Sequence, residues 1–188
     1  MQTESDAPAK RLSGNIFLVG MMGAGKTTVG KLLAQHLGKT FVDSDEEIQR
    51  RTGVTIQHIF DVEGEPGFRQ REANAIQALV KLDNIVLATG GGAVLNEQSR
   101  AALRGNGIVV YLKSTTHDLW QRTRHDRNRP LLQTADPLAR LKELYEQRDP
   151  LYAEAADLVT HTGKQSVHGL VHQLRKDLAQ FSITEGGT

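Results

Sequence analysis

Gly20, Met21, Met22, Gly23, Ala24, Gly25, Lys26 and Thr27 fit the pattern G-x-x-x-x-G-K-[ST] and directly follow the apolar run Ile16, Phe17, Leu18, Val19. Few folds can accommodate that juxtaposition. A buried strand must turn sharply into a helix, and the glycines let the backbone wrap an anion that faces the helix's free N-terminal amides. The pattern implies a bound nucleoside triphosphate, with Gly23, Ala24, Gly25, Lys26, Thr27 and Thr28 as its candidate contacts. Lys26 is expected to reach the β and γ phosphates, and the Thr27 hydroxyl to ligate Mg²⁺.

Bulk properties narrow what such a nucleotide could serve. A length of 188 residues suits one domain with a sizeable core. Lys and Arg total 23 against 22 Asp and Glu, for a net charge of +1, and only 5% of residues are aromatic, so no nucleic-acid surface is announced. Cysteine is absent, which excludes disulfides, thiolate metal sites and cysteine nucleophiles. The longest apolar runs have strand length, and residues 1–13 are polar rather than leader-like. The expectation is a cytoplasmic protein without a membrane span.

Short apolar runs alternate with stretches of helical period, which predicts a three-layer α/β/α architecture around a parallel sheet. Five strands are expected, at 16–19, 40–42, 85–88, 108–112 and 158–160, each nearly continuous in apolar or β-branched residues. A helix over 27–37 carries Val29, Leu32 and Leu33 on one face and stops at Gly38. Ser44 and Glu47 have the spacing of a capping box, with Gly53 closing the helix that follows. Pro66 marks the start of another helix. A last helix begins near Ser166, with Val167, Leu170, Val171, Leu174 and Leu178 on its stripe. Residues 1–13 and 182–188 lack any period and are expected to be flexible tails around one domain at 14–181.

In an open parallel sheet, ligands bind at the carboxyl ends of the strands. Asp43 and Asp45 follow the second strand, one placed for a metal and one for a substrate hydroxyl, although Asp45 could instead simply cap a helix. Thr89, Gly90, Gly91 and Gly92 follow the third strand and offer close backbone approach with amide donors. Arg69 and Glu72 have the spacing of a pair, which is most often an exposed one. Four arginines, Arg122, Arg124, Arg127 and Arg129, fall within eight positions beside one acid, either as a solvated loop or as a lid over a polyanion.

Taken together these motifs resemble shikimate kinase: the phosphate loop, then Phe41, Val42, Asp43, Ser44, Asp45, then Phe68, Arg69, Glu72, then Thr89 to Gly92, then Arg129, Pro130, Leu131, Leu132, and finally Arg148, Asp149, Pro150, Leu151, Tyr152. The likeness spans about residues 15–181. It implies a nucleoside-monophosphate-kinase-like fold with a substrate-binding segment at about 44–72 and a mobile lid at about 116–135. The implied reaction is Mg²⁺-dependent transfer of the ATP γ-phosphoryl group to the 3-hydroxyl of shikimate, by a monomer, with no nucleic-acid or membrane partner.

The resemblance also implies site roles. It makes Asp45 a candidate catalytic base, with orienting the acceptor hydroxyl ranked first, and Asp43 holds Mg²⁺ through water beside the direct ligand Thr27. Arg69 and Arg148 grip the substrate carboxylate, a task suited to the paired donors of a guanidinium. Gly90, Gly91 and Gly92 line the substrate, Arg129 is the lid arginine, Lys26 is catalytic, and Gln165 is an adenine-side contact. Two other readings stay open: a different small-molecule kinase resembling gluconate kinase, and a nucleotide-dependent regulator without metabolite chemistry.

Overall fold

The computed structural model describes residues 13–185, so residues 1–12 of the expected N-terminal tail and 186–188 lie outside it. Five strands form one sheet: β1 (Asn15–Val19), β2 (Thr40–Asp43), β3 (Ile85–Ala88), β4 (Gly107–Lys113) and β5 (Leu158–His161). Their order is β2-β3-β1-β4-β5 and every pairing is parallel. Each expected strand is present, extended by one or two residues at most. Phe17, Leu18, Val19, Val86, Leu87, Val109, Val110 and Leu112 are fully shielded from solvent, as a sheet covered by helices requires. Because β1 lies between β3 and β4, the chain leaves it at the place where successive connections diverge, and this opens a crevice at its carboxyl end.

The helices are α1 (Lys26–Leu37), α2 (Ser44–Thr52), α3 (Ile56–Leu79), α4 (Glu97–Asn106), α5 (Thr116–Thr123), α6 (Pro137–Ala155) and α7 (Val167–Glu185). Left-handed Gly38 and Gly53 end α1 and α2 as expected. The Ser44–Glu47 capping box does not form. Asp43 is the N-cap, its carboxylate accepting from the amides of Asp45 and Glu46. Ser44 is instead buried, and its Oγ accepts from the Gly90 amide at 2.9 Å. Glu47 turns outward to Arg50 and Arg51.

The helix expected from Pro66 starts ten residues earlier, at Ile56, and bends at Gly64, whose φ of 69° and ψ of −179° suit glycine alone. Proline cannot donate back into the preceding turn, so the bend two residues ahead of it absorbs that missing bond. α7 continues to Glu185, past the point at 182 where the tail was expected. Beside the main core, Ile48, Ile59, Phe68 and Ala75 form a second, smaller apolar cluster that joins α2 to α3. Among the described residues, no helix is long and apolar enough to cross a membrane.

Candidate active site

Residues 20–25 turn from β1 into α1, and Lys26 opens the helix. The Lys26 ammonium is almost wholly buried and donates to the carbonyls of Gly20 at 2.7 Å and Met21 at 2.8 Å. Burial pushes its pKa down to about 8, against the opposing pull of Asp45 and Asp43. A cation so poorly solvated gains from any anion delivered to the loop. Next to it, the Thr27 hydroxyl donates to Asp43 Oδ2 at 2.9 Å, while Asp43 Oδ1 caps α2. One carboxylate therefore orders a helix and faces the loop at once.

Beyond the loop lies a cavity of about 580 Å³ whose lining includes Asp45, Arg69, Glu72, Gly90, Gly91, Gly92, Arg129 and Arg148. Asp45 sits in the first turn of α2 and has its pKa raised to about 7 by burial first, then by Glu72 and Asp43. Its Oδ1 is buried without a hydrogen-bond partner, as is Glu72 Oε1. Glu72 is 2% exposed, and burial raises its pKa despite the Arg69 guanidinium beside it. Arg69 is held on both sides, by Glu72 Oε2 at 2.7 Å and by Glu65 at 3.1 Å. Arg148 is 1% exposed, and its Nε also lacks a partner. Buried polar atoms left unpaired are rare, and these three belong to residues that line one cavity.

The three glycines explain how those groups approach so closely. A Cβ on Gly90 would stand 2.5 Å from Glu72 Oε1 and 2.9 Å from Asp45 Oδ1, and one on Gly92 would collide with the Arg69 guanidinium. Space for side chains is thus the main contribution of Gly90 and Gly92. Of the three glycine amides, that of Gly91 is the one expected to hold ligand; the Gly90 amide donates to Ser44 Oγ, and the Gly91 carbonyl accepts from Tyr152 Oη.

Seven of the expected residues therefore meet on one cavity: Asp45, Arg69, Gly90, Gly91, Gly92, Arg129 and Arg148. Lys26 lies within electrostatic reach of four charged groups there, Asp45, Arg129, Asp43 and Arg148. Gln165 stands apart, exposed in the turn before α7 and absent from the cavity wall. Sequence reasoning left Glu72 without a role because an i,i+3 pair usually lies in solvent. Its only signal was a charged residue on an otherwise apolar helical face with Phe68, Ala75, Ile76 and Leu79. Two contacts had no sequence signal: Arg122 Nη1 donates to the Gly23 carbonyl at 3.0 Å, and Gln133 Nε2 donates to Gln57 Oε1 of α3 at 3.1 Å.

The family model described as shikimate kinase matches residues 22–179. The chain belongs to the shikimate kinase family. It is 56% identical over 184 residues to the shikimate kinase of Nitrosospira multiformis, covering 98% of this chain and 94% of that one. Among solved structures, it superposes on a shikimate kinase from Acinetobacter baumannii in complex with shikimate with a TM-score of 0.86 at 44% identity, over 96% of this chain and 98% of that one. A gluconokinase from Sinorhizobium meliloti superposes with a TM-score of 0.58 at 18% identity, a likeness that extends to the fold alone.

Proposed function

We propose that this member of the shikimate kinase family transfers the γ-phosphoryl group of ATP to the 3-hydroxyl of shikimate, with the phosphate loop and the arginine-lined cavity as the two halves of one site. The observation that carries the reading is the convergence of the Arg69 and Arg148 guanidinium groups with the unpaired carboxylate oxygens of Asp45 and Glu72 on a single cavity beside the loop. A small polyhydroxy acid needs cations for its carboxylate and an acceptor for its hydroxyls. Arg69 and Arg148 supply the first, Asp45 the second.

Phosphoryl transfer passes through a loose transition state, so alignment and neutralisation of charge outweigh early proton removal. Asp45 is therefore assigned first to orienting the hydroxyl, and with its raised pKa it can take the proton once the new bond has begun to form. Lys26 exchanges its two carbonyl partners for the β and γ phosphates. Arg129, held to Asp126 in the loop ahead of α6, is the lid cation, and a guanidinium on the transferring group is worth about 10³ to 10⁵ in rate. Residues 116–135 act as that lid and 44–72 as the substrate-binding segment, the latter resting on the small apolar cluster between α2 and α3. Gln165 is assigned to the adenine side.

A hydroxyl and a carboxylate in contact, with no nitrogen or sulfur donor, are a donor set for a hard cation. Thr27 would hold Mg²⁺ directly and Asp43 through water. When bound there, the ion would supply positive charge to neutralise the phosphates. The chain is proposed to act in the cytoplasm as a monomer.

The test supplies ATP and Mg²⁺ with either shikimate or gluconate and identifies products by ³¹P NMR. The expected product is shikimate phosphorylated at O3, formed only when shikimate is present. Turnover of gluconate in its place would overturn the acceptor assignment, and ATP hydrolysis indifferent to both acids would favour a regulator.

A further inference from the structure

Arg148 approaches the cavity from α6, whose next residue but one is Pro150. A proline inside a helix has no N–H for the carbonyl four residues earlier, here that of Glu146, so the turn that carries Arg148 is weakened where it most needs to be fixed. Compensating contacts converge on this turn. Asp149 accepts from Tyr111 Oη at 2.6 Å and from Lys113 Nζ at 3.1 Å. Tyr111 and Lys113 are two apart on β4, so both project from the same face of the strand. One turn on from Arg148, Tyr152 stacks on Tyr111 with ring centroids 5.0 Å apart and donates to the Gly91 carbonyl. Burial pushes the Asp149 carboxyl up, but its hydrogen bonds from Tyr111 and Lys113 outweigh this and hold it below the usual range, so it stays ionised as an acceptor.

The register of the sheet gives this anchor a function. Tyr111 pairs with Val19, the last residue of β1 before the phosphate loop. We infer that Asp149 is a positioning residue: by tying α6 to β4 at the level where the loop begins, it sets the distance between the Arg148 clamp and the phosphate cradle. Asp149 touches neither reactant in this scheme. The inference rests on the assignment of Arg148 to the substrate carboxylate.

Steady-state kinetics of Asp149→Ala, Asp149→Asn and Tyr111→Phe, each compared with wild type and accompanied by a thermal melt, test it. Losing bonds to a charged acceptor should raise the KM for shikimate roughly tenfold in Asp149→Ala while the KM for ATP stays within about twofold. Asp149→Asn, which keeps an acceptor for Tyr111, should recover part of that loss. Tyr111→Phe keeps the ring stacking and should show the same selectivity in weaker form, so the inference is tested even if Asp149→Ala does not fold. An unchanged KM for shikimate in Tyr111→Phe and Asp149→Asn, or KM values for both substrates that rise together with a fall in melting temperature, would overturn it. A wild-type enzyme that does not phosphorylate shikimate would overturn the functional reading as well, and that result is distinct from an active wild type with insensitive variants.

Discussion

Single residues in this site are defined by what surrounds them. Arg69 shows this most clearly: its guanidinium touches both Glu72 and Glu65, yet it lines the cavity where a carboxylate would be gripped. Arg69→Lys keeps a charge beside Glu72 but loses the forked donors, so it separates substrate recognition from folding. Its shikimate affinity should fall about tenfold in calorimetric titrations while nucleotide affinity holds. Equal loss for both ligands would contradict the assignment. At this scale the sequence was informative about which residues matter and silent about their partners. Ser44 and Asp43 are both good caps, and only the tertiary demand of the Gly90 amide decides that Ser44 turns inward. Glu72 sits on the apolar face of α3, and Gly90 leaves the room its carboxylate needs there.

Elements were legible wherever their local signals agreed. Three of the five strands, β1, β3 and β4, follow runs of apolar residues that the sheet buries. The edge strands β2 and β5 are only partly buried, and they were recognised by their apolar and β-branched residues. The bend in α3 was harder to read because Gly64 and Pro66 both punctuate the chain while the small core beneath α2 and α3 holds the two halves together. α2 also carries a charge device whose effect on stability has a definite sign. The hydrogen bond from Arg50 foremost, opposed by burial and supported by the further hydrogen bond from Arg51, holds the Glu47 pKa down to about 2 from an ordinary 4.5. An acid with a lowered folded-state value stabilises the fold above its unfolded value, and that stabilisation is lost as pH falls through the folded one. The arginines are solvent-exposed, so the contribution is under about 1 kcal/mol. Urea denaturation of Glu47→Gln should therefore show a small deficit against wild type at pH 7 that shrinks below about pH 4.5. A deficit of constant size down to pH 3 would assign the effect to packing instead.

At the scale of the whole molecule, three segments distant in sequence meet because of strand order. β3 beside β1 delivers the glycines, β2 beyond it delivers Asp43 and Asp45, and β4 on the other side anchors α6 with Arg148. None of those adjacencies can be read from the strands one at a time, although a parallel sheet with a phosphate loop on its central strand makes them natural. The central claim is geometric: loop and clamps face each other across one cavity, so that ATP and shikimate meet end to end. A crystal structure with shikimate and a non-hydrolysable ATP analogue tests it most directly. The shikimate carboxylate should lie on Arg69 and Arg148, with the 3-hydroxyl oxygen about 3–3.5 Å from the γ phosphorus. A carboxylate seated on Lys26, or a hydroxyl turned away from the phosphorus with both ligands bound, would contradict the account.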